Sequence, residues 1–208
     1  MGLGLAGGVT LALPFSASAC SGSGEGSTGT LLPSKAKLPE PFKVPLPVPP
    51  VLEPVRPNAG TDYYEMTQKA GRVEILPGLQ TEVWGYDGIF PGPTVESRSG
   101  RKIIVRQRNE LPVPVSTHLH GGRTPPESDG YPTDLIPPKN MAHGHSMEGH
   151  GSMGMEGSRH SKDYVYPLEQ RAATLWYHDH RMDFTGPQVW RGLAGFHIIR
   201  DDEDDALP

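Results

Sequence analysis

Two short sequence motifs each place two histidines two residues apart. They are Thr117-His118-Leu119-His120-Gly121-Gly122 and Trp176-Tyr177-His178-Asp179-His180. In a β-strand, residues i and i+2 point to the same face about 6.6 Å apart, so the imidazoles of one pair are better placed to bind two neighbouring metal ions than to chelate one. Neutral imidazole suits copper, zinc, iron and nickel. The two pairs together predict a multinuclear metal site.

The composition limits which other residues could hold a metal and which partners fit. Cys20 is the single cysteine, which excludes an intramolecular disulfide and a cysteine-based zinc or iron–sulfur site. The nineteen Lys and Arg against twenty-four Asp and Glu give a net charge of −5, and the five acidic residues 201–205 account for it. The rest of the chain is neutral, so the sequence predicts no nucleic-acid partner.

Short β-favouring runs recur between turn signals, and 26 glycines and 23 prolines in 208 residues suit turn-rich β structure better than helices. The predicted strands span residues 63–67, 72–76, 81–86, 94–96, 102–108, 115–119, 173–178 and 195–200. Each His-x-His pair falls at the end of one of them. The sequence therefore predicts an all-β sandwich with histidines at its strand ends.

Motifs in the same order resemble those of the N-terminal cupredoxin domain of multicopper oxidases, in the branch of spore-coat laccase, bilirubin oxidase and phenoxazinone synthase. Besides the two histidine motifs they are Trp84-Gly85-Tyr86-Asp87-Gly88, Pro91-Gly92-Pro93-Thr94-Val95, Ser128-Asp129-Gly130 and Gly192-Leu193-Ala194-Gly195-Phe196. The resemblance covers roughly residues 38–200. It implies a Greek-key, cupredoxin-like β-sandwich or barrel over residues 61–200.

The resemblance also implies a trinuclear copper cluster held by eight histidines, four from the first domain and four from the last. By that analogy His118 binds the type 2 copper, while His120, His178 and His180 bind the type 3 pair. Asp129 matches the family's buried carboxylate beside the cluster, a proton donor or relay. A turn residue in Ser-Asp-Gly is the other interpretation of Asp129.

The function that follows from the resemblance is reduction of dioxygen to water, while a phenol, amine or metal ion is oxidised. The family's type 1 copper needs a cysteine flanked by histidines near the C-terminus, and this chain has none there. We therefore expect the chain to be inactive alone and to need further C-terminal cupredoxin domains. The alternatives are an exported copper-buffering protein without turnover and a non-catalytic cell-envelope relative.

The segments outside the predicted domain have their own interpretations. Residues 1–20 read as an export signal, with Cys20 either a lipid-bearing cysteine or the first residue after cleavage. No apolar stretch is long enough to span a membrane. Residues 21–60 predict a disordered and Pro-rich linker, and residues 201–208 the acidic start of an interdomain linker.

Residues 140–160 differ in composition from the rest of the domain and predict a flexible insertion between strands. They contain Met141, His143, His145, Met147, His150, Met153 and Met155, spaced by Gly and Ser. Thioether and imidazole together suit Cu(I), so the insertion could collect copper. A low-complexity loop that binds metal only adventitiously is the other interpretation.

Overall fold

The computed structural model describes residues 35–139 and 160–207, and in those residues nine strands form two sheets. The strands are β1 (Arg56–Pro57), β2 (Thr61–Leu76), β3 (Leu79–Tyr86), β4 (Gly92–Arg98), β5 (Lys102–Asn109), β6 (Thr117–His120), β7 (Ser161–Tyr166), β8 (Ala173–Asp179) and β9 (Ala194–Arg200). Two short helices follow late in the chain, α1 (Thr185–Trp190) and α2 (Asp202–Asp205). A 3₁₀ turn spans Pro126–Ser128. The all-β prediction is confirmed.

Sheet I contains β1, β2, β5 and β7 in that order, with β3 also paired to β2. Sheet II contains β4, β9, β8 and β6. The pairs β2–β5 and β4–β9 are parallel, and the other named pairs are antiparallel. From β3 to β8 the chain alternates between the sheets, so strands distant in sequence become neighbours. This alternation brings β6 beside β8, and with them the two histidine motifs.

The hydrophobic core lies between the two sheets and follows from the alternation of side chains along each strand. In β5, Ile103 and Val105 are buried while Ile104 between them is only partly buried. Further buried core residues come from both sheets: Tyr64, Met66, Val95, Leu119, Tyr164, Tyr166, Leu175, Tyr177 and Ile199. Because both sheets contribute, the core fixes the position of sheet II, which carries the histidines.

Some elements differ from those predicted. The runs 63–67 and 72–76 belong to one strand, β2, and Gly71 between them marks a close backbone approach instead of a turn. A Cβ at Gly71 would lie 1.9 Å from the Gly88 carbonyl oxygen, so only glycine fits there. Strand β7 and helix α1 were not predicted. The described helices are six and four residues long, and neither is long and apolar enough to cross a membrane.

The sequence predicted linkers at residues 21–60 and 201–208, but described parts of both segments contact the domain. The Leu52 amide donates to the Thr94 carbonyl and the Thr94 amide to that of Pro50, both at 2.8 Å, which attaches the Pro-rich segment to β4. The acidic residues form α2, with Asp205 paired to Arg98 at 2.8 Å and Asp204 to Arg200 at 3.0 Å. Residues 1–34 and 140–159, including the export signal, Cys20 and the Met/His residues, lie outside the described residues.

Candidate metal centre

The four predicted histidines lie together at one end of sheet II. Antiparallel pairing of β6 and β8 sets His118 opposite His178 and His120 opposite Trp176, and His180 follows the last residue of β8. The ring centroid of His118 is 5.6 Å from that of His120, 5.4 Å from that of His178 and 5.0 Å from that of His180. The rings converge because directly opposed residues on adjacent strands project from the same face of the sheet.

Backbone carbonyls hold the Nδ1 atoms of three of these rings. His118 Nδ1 lies 2.6 Å from the Asp129 carbonyl oxygen, His178 Nδ1 2.7 Å from that of Asp179, and His180 Nδ1 3.1 Å from that of Gly130. A carbonyl can only accept a hydrogen bond, so each Nδ1 carries the proton and donates it. This tautomer leaves the Nε2 lone pair free, as a metal-binding histidine requires.

His120 is oriented differently from the other three histidines. Its Nδ1 is 3.4 Å from His178 Nε2, so this nitrogen faces the centre of the cluster. One nitrogen from each of His118, His120 and His178 can be chosen so that all three lie within 4.8 Å of one another. The three residues are therefore close enough to share metal ions without a change of backbone.

Burial favours neutral imidazole at the most enclosed position. His178 is only 4% exposed, and this burial, followed by the neighbouring histidines, lowers its pKa from 6.5 to about 4. At neutral pH its Nε2 lone pair is available for a metal. His120 lies at the exposed edge of the cluster, and His118 and His180 are intermediate.

The Ser128-Asp129-Gly130 motif positions two of the imidazoles through its backbone. Gly130 has φ of 73°, and a Cβ there would lie 2.1 Å from the Thr117 carbonyl oxygen. Glycine therefore allows the turn to approach β6 closely enough for its carbonyls to accept from His118 and His180. The motif is visible in the sequence, but the sequence did not show that its backbone carbonyls orient two of the histidines.

The Asp129 side chain lies beside the cluster and is only half buried in this chain. Its exposed fraction is 50%, with Oδ1 3.4 Å from His118 Nδ1. Thr124 Oγ1 donates to the same oxygen at 2.9 Å. An open groove that Arg123, Thr124, Pro126 and Asp129 help to line gives the carboxylate access to solvent.

Asp179, between the two histidines of the second motif, points to the opposite side of β8 and is 1% exposed. Its carboxylate accepts from the backbone amides of Ser116 and Arg181 at 3.0 and 3.1 Å, and from Gln188 Nε2. Burial raises the pKa of Asp179, and these hydrogen bonds oppose that shift. Asp179 thus joins the start of β6, the end of β8 and α1, which carry or support the histidines.

The two aromatic residues before His178 lie on opposite faces of β8. Tyr177 is buried and packs edge-on against Tyr86 with ring centroids 4.7 Å apart. Trp176 faces the cluster and stacks on His178 and His120, with centroids 4.0 and 5.2 Å away. The two-residue period of β8 places Trp176 on the face of His178.

The donor set matches copper. Imidazole nitrogens with fixed tautomers, clustered within a few ångströms, suit Cu(II), and the described residues offer no nearby cysteine that would close a structural zinc site. The sequence profile described as multicopper oxidase matches residues 67–148 and 142–204. The chain belongs to the multicopper oxidase family. Copper is therefore the cofactor that these histidines are expected to bind.

Three known proteins resemble the chain over most of its length. It is 36% identical over 173 residues to bilirubin oxidase of Albifimbria verrucaria, covering 80% of this chain and 27% of that protein. It is 31% identical over 166 residues to the cell division protein FtsP of Escherichia coli, covering 79% of this chain and 30% of FtsP. The structure of a laccase from Pediococcus acidilactici aligns with a TM-score of 0.68 and 32% identity, covering 83% of this chain and 33% of the laccase. The chain thus spans about a third of these relatives.

Proposed function

We propose that this multicopper oxidase chain is an N-terminal cupredoxin domain that supplies half of the histidine ligands of a trinuclear copper cluster. The observation that carries the proposal is the convergence of four imidazoles at one end of sheet II. Three of them have Nδ1 held by backbone carbonyls, and the nitrogens of His118, His120 and His178 lie within 4.8 Å of one another. Hydrogen bonds of this kind orient the imidazoles that bind metals in proteins, so the arrangement suits a metal ligand set.

Each histidine has a proposed place in the cluster. His118 binds the type 2 copper, and His120, His178 and His180 bind the type 3 pair. The short distance between His120 Nδ1 and His178 Nε2, 3.4 Å, supports a shared copper for these two residues. His180 then serves the other copper of the pair. Each ion would gain its remaining imidazoles from a later cupredoxin domain.

Copper bound here would supply the redox chemistry by which dioxygen is reduced to water with electrons taken from a phenol, an amine or a metal ion. The chain's own residues hold the ligands and deliver protons. Asp129 is the proposed proton relay, because its carboxylate is close to His118 Nδ1 and open to solvent on its other side. The Thr124 hydroxyl keeps this carboxylate directed towards the cluster.

The 208 residues alone are proposed to be inactive as an oxidase. Electrons enter this family's cluster through a type 1 copper held by a cysteine, and the single cysteine, Cys20, lies in the proposed export signal. Later cupredoxin domains would provide that copper, the reducing-substrate site and the other four histidines. Export to the cell envelope or beyond, with or without a lipid on Cys20, is part of the proposal.

A non-catalytic role at the cell envelope is the second candidate, and the similarity to FtsP favours it. The four histidines argue for copper, because a purely structural domain has no need to orient them through backbone carbonyls. A copper-buffering role without turnover would use the same histidines together with the Met/His insertion, which includes Met141 and His143.

Copper binding by paired variants tests the proposal. The purified chain is loaded with Cu(II), dialysed, and analysed for bound copper and for nitrogen couplings by electron paramagnetic resonance. The double variant His118→Asn/His178→Asn should lose the cluster-bound copper. The matched control His143→Asn/His145→Asn makes the same change at two histidines of the insertion and should keep that copper.

Equal loss of copper in the two double variants would contradict the assignment, as would a wild-type chain that binds no Cu(II). The loaded wild-type chain should also lack the intense blue absorption of a copper–thiolate bond and should not oxidise a phenol. Turnover of a phenol by the isolated chain would refute the proposal that it supplies only half of the site.

A further inference from the structure

The backbone contacts of the cluster do not explain how His120 is held in its orientation. His118, His178 and His180 each donate Nδ1–H to a backbone carbonyl, whereas His120 has no backbone carbonyl partner within the described residues. His120 is also the exposed member, at the last position of β6. An imidazole in such a position is free to change its χ angles unless another group restricts it.

Trp176 is the neighbour that can restrict His120. The β6–β8 register sets the two residues directly opposite each other, so their side chains leave the same face of sheet II. The indole and the imidazole are stacked, with ring centroids 5.2 Å apart and an interplanar angle of 24°. The same indole stacks on His178 at 4.0 Å and 27°. One side chain therefore contacts the rings of both His120 and His178.

Trp suits this place because its polar group has no lone pair with which to bind the metal itself. The indole Nε1–H is a donor only, and the ring contacts the imidazoles through its face. Trp176 is 36% exposed, so burial in the core does not explain a large aromatic side chain at this position. Stacking on two imidazoles does explain it.

On this basis, and resting on the proposed copper cluster, we infer that Trp176 is a positioning residue that holds His120 and His178 in the orientation that binds copper. It takes the place, for His120, of the carbonyl that orients each of the other three histidines. Loss of a group that orients a metal ligand typically weakens metal binding by about tenfold to a hundredfold. Trp176 would contribute without touching the metal.

A Cu(II) titration followed by nuclear magnetic resonance tests this inference in the full chain. Bound Cu(II) broadens the signals of protons near it, and those of its ligands most strongly, so broadening of the His120 and His178 rings reports copper at the histidine cluster. Trp176→Leu should need about ten times more free Cu(II) for the same broadening. Trp176→Phe, which keeps an aromatic face, should restore most of the binding. Trp190→Leu, at an 88% exposed position, makes the same change away from the cluster and should behave like wild type.

The outcomes separate this inference from the proposed function. A wild-type chain whose four cluster histidines show no broadening would refute the copper cluster itself. Normal broadening in wild type together with unchanged binding in Trp176→Leu, or equally weak binding in Trp176→Phe, would overturn only the role of Trp176. If Trp176→Leu does not fold, the metal-free wild-type chain decides. Its His120 ring protons should be shifted upfield by the indole ring current, and their absence from that region would overturn the stacking.

Discussion

Substitution of one buried histidine outside the metal centre should change how the stability of the domain depends on pH. His197 on β9 is 1% exposed, with Nε2 2.8 Å from the Ser97 hydroxyl and its ring 6.2 Å from that of Tyr166. No carboxylate is among its described partners, and burial lowers its pKa from 6.5 to about 4. The folded chain therefore keeps this imidazole neutral under conditions in which the unfolded chain protonates it.

The magnitude follows from the two pKa values. The unfolded chain binds the proton as pH falls below 6.5, and the folded chain binds it only near pH 4, so the contribution to stability is complete above 6.5 and is lost as pH falls from 6.5 towards 4. Each pKa unit corresponds to about 1.4 kcal/mol. Between about pH 7 and about pH 5, His197 alone should remove about 2 kcal/mol from the free energy of unfolding.

Urea unfolding of metal-free protein, followed by circular dichroism at the two pH values, measures this loss. His197→Gln keeps a polar group near Ser97 but cannot titrate, so its stability should fall by about 2 kcal/mol less than that of wild type. Comparison with wild type cancels the contribution of His178, whose pKa is also lowered. His160→Gln, outside the core, is the matched control and should follow wild type. If wild type and His197→Gln lose the same stability, the assignment of acid sensitivity to His197 is refuted.

Three further changes test the supports of the metal centre. Gly130→Ala should destabilise the fold by about 2 kcal/mol or more in urea and weaken Cu(II) binding, because its Cβ would lie 2.1 Å from a carbonyl oxygen; Gly186→Ala, with open space around it, should change neither quantity. Asp179→Ala leaves three buried donors without an acceptor and should cost about 3 kcal/mol or more in the same assay, and a loss below about 1 kcal/mol would contradict this role. Deletion of residues 140–159 should leave the circular dichroism spectrum unchanged, because Asn109 donates hydrogen bonds to carbonyls on both sides of the insertion, and unfolding would show that the insertion is part of the core.

Local sequence signals were sufficient for most strands and for the choice of candidate ligands. In β5 the central aliphatic residues Ile103 and Val105 share the buried face, and charged residues occupy the other face. The His-x-His pairs predict metal ligands because the two-residue period places both rings on one face. The two pairs form one site because β6 pairs with β8. The spacing within each motif does not predict this pairing, and only the family resemblance implied it.

Elements that depend on tertiary contacts were not predicted. Helix α1 contains Gly186 and Pro187, which disfavour helix, and it is held in place by the hydrogen bond from Gln188 to Asp179. Strand β7 carries charges at partly buried positions, and its Asp163 pairs with Arg106 of the neighbouring β5 at 2.7 Å. Gly71, between two predicted strands, is needed where two backbones meet. In each case a contact outside the element decides the structure.

The central claim is that four imidazoles at one end of sheet II bind copper. Anomalous diffraction at the copper absorption edge from crystals of the Cu(II)-loaded chain tests it most directly. The strongest peaks should lie within bonding distance of Nε2 of His118, His178 and His180 and of Nδ1 of His120. Copper peaks found only at other residues, with these rings unbound, would contradict the claim.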